Sequence, residues 1–161
     1  EWAGEDGAAI SAFSFGNMPA ELAGTADAAV MIRAFHNLFR FEKDGGFRTA
    51  ALQDIHAVLK PGGILGVVQH QGRDEMPDEW AGGQNGYLKD DKVIEIITAA
   101  GFEFVGMSDI NFNEKDQPTG SDIVWRLPPS LATSRENPEL KAQLQAVGES
   151  NRMTLKFRKK G

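Results

Sequence analysis

The chain contains no cysteine, which excludes disulfides and cysteine-ligated zinc. That absence leaves the compartment open between cytoplasm and periplasm. No apolar run is long enough to cross a bilayer, so no membrane partner is expected. Cations are in deficit: 17 Lys and Arg stand against 23 Asp and Glu, a net charge of −6, which argues against a broad nucleic-acid surface. The basic close at Arg158–Lys160 is too short for a binding tail and reads as a solvated end. Repeats and low-complexity tracts are missing. The three histidines lack tight ligand spacing, so no metal is expected. Glu1 in place of an initiator methionine reads as a trimmed or partial chain. What remains is 161 residues, 41% hydrophobic and 25% charged, which suits one globular domain over 1–161.

Residues 59 to 70, Leu-Lys-Pro-Gly-Gly-Ile-Leu-Gly-Val-Val-Gln-His, carry most of the information. A helix runs into Leu59 and Lys60. Pro61 ends it, having no N–H and disfavouring helical geometry in the residue before it. Gly62 and Gly63 supply a turn. Ile64–Val68 is a short apolar run rich in β-branched residues, which predicts a strand buried on both faces of a parallel sheet. The Gly-Gly pair precedes its strand, so it is a turn and not a phosphate loop. In such sheets ligands collect at the carboxyl ends of the strands, and His70 stands at that end.

The same logic extends along the chain. Residues 1 to 8 read as loop, Ala9–Phe15 as a strand, and 19 to 25 as a short helical turn and loop. Ala28–Ile32 is a second buried strand, with Asp27 as a structural cap at its start, followed by a polar-aromatic loop over 34–39. The spacing of Ala51, Leu52, Ile55, Val58 and Leu59 predicts a helix over 47–59. Residues 71–87 form a long polar loop of the kind that serves as a lid. Asp90 and Asp91 favour a helix start, and Gly101 its stop, over 89–100. Phe102–Ile110 and Ile123–Leu127 read as strands. Asn137 caps a helix with Pro138 at its first position, running to Val147. Met153–Arg158 alternates as a last, antiparallel strand near an edge.

This order resembles the second half of the class I S-adenosylmethionine-dependent methyltransferases. A bacterial family of predicted methyltransferases is closer still. The resemblance rests on Arg33 with His36-Asn37, Leu59-Lys60-Pro61-Gly62-Gly63, His70, Gly86-Tyr87 and Ala100-Gly101-Phe102. Trp125 with Leu127-Pro128-Pro129 and Gly148-Glu149-Ser150 with Arg152 complete it. It implies an α/β, Rossmann-like, mostly parallel sheet with an antiparallel strand near one edge. It also implies methyl transfer from S-adenosylmethionine to a small-molecule acceptor. The family's glycine-rich loop and acidic ribose ligand have no counterpart here; Gly4-Glu5-Asp6-Gly7 follows no strand. The chain therefore reads as the C-terminal two-thirds of the fold, with cofactor binding by this segment in doubt. The rival reading is a non-catalytic module that self-associates as a homodimer through its incomplete sheet. A nucleotide-dependent oxidoreductase of related topology is the weakest reading, because neither a dinucleotide fingerprint nor Tyr-x-x-x-Lys is present.

Candidate site residues follow from chemistry and position. His36 and His70 are the catalytic candidates, each a base near neutral pH and each within a few positions of a strand end. Asn37 and Arg33 beside His36, with Asn17 and Met18 after the first strand, are what the resemblance offers toward the cofactor. Arg73 could hold a carboxylate, and Trp80 and Tyr87 could cover the site from the long loop. Glu149, Ser150 and Arg152 either form a charged network or line the acceptor pocket. His56, in mid-helix, reads as packing. The plain alternatives stay open for each: a loop His bonded to a carbonyl, a solvated Arg, a turn at Asn17.

Overall fold

The computed structural model describes residues 10–161. Strand β1 (Ala26–Ile32) is followed by two short helices, α1 (Phe35–Arg40) and α2 (Glu42–Gly45), and by α3 (Phe47–Val58). Then come β2 (Leu59–His70), α4 (Asp90–Ala99), β3 (Phe102–Ser108), α5 (Pro138–Val147) and β4 (Arg152–Lys159). The four strands lie in the order β1-β2-β4-β3.

The expected core pairing is present. β1 and β2 run parallel, with Ala28 opposite Ile64 through to Ile32 opposite Val68. The intervening helices make the crossover that a parallel pair requires. The helix ends earlier than expected, at Val58 with Leu59 extended as its C-cap, so Leu59 and Lys60 are strand and not helix, and Pro61, Gly62 and Gly63 lie within β2 as a bulge. The register runs from Ala26 opposite Leu59 to Ala28 opposite Ile64, so residues 60–63 loop outward, with Gly62 at φ +75°. Glycine reaches that conformation without steric cost.

The sheet as a whole is mixed and not mostly parallel. β4 is antiparallel to both of its neighbours, β2 and β3. It lies one strand in from the edge, because the connection through α5 returns the chain between β2 and β3. A strand with two neighbours is held by two ladders, and its alternation reflects one buried face: Met153, Leu155 and Phe157 are buried.

Strand burial is also one-sided. Met31, Leu65, Val67, Leu155 and Phe157 face a single core with Phe35, Leu52, Val93 and Ile97 from α1, α3 and α4. Each such buried side chain contributes roughly 1.5–3 kcal/mol. On the opposite face Val30 is 74% and Ile32 59% exposed, and Ile64 and Val68 are half-buried. The expectation of burial on both faces fails there, because every helix that packs on this pair lies on the other side.

Three further expectations change. Residues 34–39 contain helix α1 and not a loop. Residues 123–127 hold a buried 3₁₀ turn, Val124–Arg126, in place of a fifth strand. Ile10–Phe15 is irregular, not a strand; Ala9 and the expected loop at 1–8, with Gly4-Glu5-Asp6-Gly7, lie outside the described residues. The helices read over 47–59, 89–100 and 138–147 form over 47–58, 90–99 and 138–147, and Asn137 accepts a hydrogen bond from the Leu140 N–H at 3.0 Å. Asp27 pairs with Lys60 across the β1–β2 start at 2.6 Å.

Candidate functional site

A cavity of about 430 Å³ opens at the carboxyl ends of β1 and β2. Its floor is Ile32, Arg33 and the first turn of α1 with His36 and Asn37. Its wall is His70 at the end of β2, with Ser150 and Arg152 entering β4. The roof is built from Val124 and Trp125 of the 3₁₀ turn and from Leu127 to Ser130 directly after it.

The local backbone explains how these groups converge. Arg33 takes φ +53°, a left-handed conformation uncommon for a non-glycine residue. Its N–H donates to the Val68 carbonyl at 2.7 Å, which extends the parallel ladder by one residue and turns the chain into α1. His36 then sits in the first helical turn, 4% exposed, with its ring centroid 5.6 Å from that of His70 and 5.8 Å from the edge-on Trp125.

Each imidazole has one defined partner. His36 Nδ1 lies 3.2 Å from Gln69 Oε1, and His70 Nδ1 lies 2.6 Å from Ser150 Oγ. Burial lowers the His36 pKa; the Gln69 bond opposes this and the Arg40 charge adds to it. His70 is pushed down to about 3, first by burial, then by His36 when that ring is protonated and by the charges of Arg33 and Arg152. Both rings are therefore neutral near pH 7 and can accept a proton or a hydrogen bond. Arg152 pairs with Glu149 and donates to Asn111 Oδ1 at 3.1 Å, and that pairing holds the Glu149 carboxyl below its usual range. Arg33 has no ion-pair partner among the described residues. The cavity lining thus holds two guanidinium groups and no carboxylate among the described residues.

Of the expected site residues, His36, His70, Arg33 and Asn37 come together, and Ser150 and Arg152 join them. The others lie elsewhere. Asn17 and Met18 follow Gly16, whose N–H donates to Asp54 of α3 at 2.6 Å, away from the cavity lining. Arg73 is paired with Glu75 at the surface. Trp80 and Tyr87 are core residues and not a cover: their rings stack at 5.0 Å, and Tyr87 is fully buried. The Tyr87 hydroxyl donates to Asp116 at 3.1 Å and accepts from Arg126 at 2.9 Å. Burial and the Asp116 charge raise its pKa well above the usual phenol value. Arg126 also pairs with Asp116 at 2.8 Å, and the Asn151 N–H donates to Asp116 at 2.9 Å. This buried cluster ties the 71–87 loop, the roof turn and the entry to β4 to one another.

Gln69 and Asp116 were not among the expected site residues. Gln69 had a signal: it shares strand parity with Leu65 and Val67, so alternation carries a carboxamide into the core, where it must be hydrogen-bonded. Asp116 lies in an irregular polar stretch and had none. Trp125 and Pro128-Pro129 carried a sequence pattern with no role attached.

No family model matches the chain, and no curated protein matches it. Solved structures do. The cyclase SpnF matches 86% of this chain and 51% of its own, with 23% identity and a TM-score of 0.52. An S-adenosylmethionine-dependent methyltransferase of Methanosarcina mazei matches 86% of this chain and 61% of its own, with 12% identity and a TM-score of 0.51. A protein of Bacillus halodurans proposed to be a methyltransferase matches 92% of this chain and 76% of its own, with 14% identity and a TM-score of 0.54. This chain has a partial methyltransferase-like fold. It spans about half the length of the first structures it matches. Because one of these neighbours is a cyclase by name, the methyltransferase-like fold does not by itself fix the chemistry.

Proposed function

We infer that this chain is the acceptor-binding part of an S-adenosylmethionine-dependent methyltransferase acting on a small molecule. The observation that carries the reading is the pair of neutral histidines, 5.6 Å apart, in a cavity at the carboxyl ends of two adjacent parallel strands. A volume of about 430 Å³ is within the range of small-molecule sites. Among the described residues the lining has no carboxylate for the ribose diol or sulfonium of S-adenosylmethionine, and its Arg33 and Arg152 match only the carboxylate end of that molecule. The same lining fits an acceptor with an anionic group, a carboxylate held by Arg33 with Ser130 nearby.

Within that reading His36 is the base. Its Nε2 has no hydrogen-bond partner among the described residues and can take the proton from an acceptor O–H or N–H as that atom becomes nucleophilic. His70, with its much lower pKa, is the weaker base and serves to orient the acceptor together with Ser150. Trp125 and the Leu127–Pro129 roof exclude water from one side.

The test uses the natural protein at full length, assayed for methyl incorporation with carboxylate-bearing phenols and amines. His36→Ala is expected to lower kcat by about 10²–10⁴-fold with cofactor affinity almost unchanged. Unchanged turnover removes His36 from the mechanism. Calorimetry of the 161-residue chain alone should find weak or no binding of S-adenosylmethionine; micromolar affinity would contradict the assignment of this cavity to the acceptor.

One observation favours a second reading, self-association. β1 is an edge strand with Val30 and Ile32 exposed beside it, and open edges of this kind pair with other strands.

A further inference from the structure

We propose that Gln69 is the positioning residue of the site, holding His36 in the single tautomer that presents Nε2 as the proton acceptor. Its purpose rests on the acid–base reading of His36, but the geometry stands without it.

Gln69 is fully buried, on the same face of β2 as the apolar Leu65 and Val67. Its carboxamide makes four contacts. Nε2 donates to the Gly86 carbonyl at 2.8 Å and the His70 carbonyl at 3.3 Å. Oε1 accepts from the His36 backbone N–H at 3.2 Å and faces His36 Nδ1 at 3.2 Å. This set alone fixes the orientation of the amide. A flipped amide would put its oxygen against two carbonyls and its NH₂ against a backbone N–H, losing those three bonds. Oε1 can only accept, so the His36 nitrogen facing it must carry the hydrogen. In a neutral ring the lone pair is then on Nε2.

The arrangement does more than choose a tautomer. The His36 N–H belongs to the first turn of α1, where backbone donors have no partner within the helix. Gln69 reaches from the neighbouring strand to satisfy it. One side chain therefore fixes both where α1 begins and how the His36 ring is turned. Gly86 completes the grip from the far side, and its neighbour Tyr87 is locked by Asp116 and Arg126. The site's base is thus oriented through Gln69 by the buried cluster behind it. An apolar residue at 69 would leave the His36 N–H and the Gly86 carbonyl without this partner and would leave the tautomer free.

The experiment is long-range ¹H–¹⁵N correlation of the histidine rings in this chain, which needs no substrate. The native protein should show His36 as Nδ1–H with Nε2 unprotonated. Gln69→Leu should shift the tautomer ratio toward Nε2–H by about five- to tenfold, the equilibrium weight of one hydrogen bond. Gln69→Glu keeps an acceptor facing His36 and, with its second oxygen protonated toward the Gly86 carbonyl, should retain Nδ1–H. Native His36 found as Nε2–H, or a ratio unmoved in a folded Gln69→Leu, overturns the proposal. Should Gln69→Leu fail to fold, the native spectrum and Gln69→Glu still decide it. If the tautomer responds as expected but His36→Ala leaves turnover intact in the full-length protein, the positioning role stands and the base assignment alone falls.

Discussion

His70 and Asp116 show how individual residues couple the site to stability. The His70 pKa is 6.5 as a free side chain and about 3 in the fold. Between these values the unfolded chain holds the proton and the folded chain does not. The stability is therefore complete above about pH 6.5 and is lost as pH falls toward 3, at up to about 1.4 kcal/mol per pH unit. Urea denaturation at pH 7 and pH 5 should differ by roughly 2 kcal/mol for this group, and His70→Asn should flatten much of that slope. Asp116 is a different case. Its side chain is fully buried, and removing it leaves the Tyr87 hydroxyl without its acceptor and the Arg126 guanidinium with only Asp122, 3.4 Å from Nε. Asp116→Ala should cost about 3–5 kcal/mol by the same denaturation. A loss below about 1 kcal/mol would mean that water replaces the carboxylate and that the cluster is looser than its hydrogen bonds imply.

At the scale of elements, the site depends on how α1 is seated. Gly83 lies against it: a Cβ there would come 2.5 Å from the His36 carbonyl oxygen and 3.2 Å from Phe39 Cβ, at φ +96°. Gly83→Ala should therefore destabilise the protein by more than about 1 kcal/mol, through both backbone strain and displacement of α1. The His36 ring resonances should shift with it. Gly106→Ala in β3 is the control, since its Cβ would meet nothing within 4 Å, and should stay within about 0.5 kcal/mol of the native protein in a thermal melt. α1 itself was hidden in the sequence. Its six residues are too few to show a helical period, and its buried positions, Phe35 and His36, are adjacent. The longer α3 and α4 were legible because two or three turns repeat the apolar spacing.

Among the described residues the β1–β2 pair has one covered face and one open one. Helices α1, α3 and α4 pack on one side, while β1 ends the sheet with Val30 exposed on the other. Sedimentation velocity across a hundredfold range of concentration separates the two functional readings. Expected for the acceptor-binding part is a monomer. A dimer that Val30→Lys disrupts would support the self-associating module, because a lysine on an edge strand blocks strand addition. Val30 does not line the cavity, so this substitution leaves the site groups in place.

Local chemistry determined the elements that are locally encoded. Glycine stopped a helix at Gly101, Asn137 capped α5, and alternating or continuous apolar runs marked β1, β2 and β4. That was enough to pair β1 with β2 in parallel and to send His36 and His70 to one edge of the sheet. Tertiary structure decided everything that depends on a partner distant in sequence. β4 entered between β2 and β3, antiparallel to both, a pairing with strands distant in sequence that no local pattern encodes. Trp80 and Tyr87 went to the core because Val124 and Asp116 were there to receive them. The roof of the cavity became a 3₁₀ turn where its β-like composition suggested a strand, with Val124 packed on Trp80 and Tyr87. Gln69 found its role only because the fold brought His36, 33 residues earlier, and Gly86, 17 residues later, to the two ends of one amide.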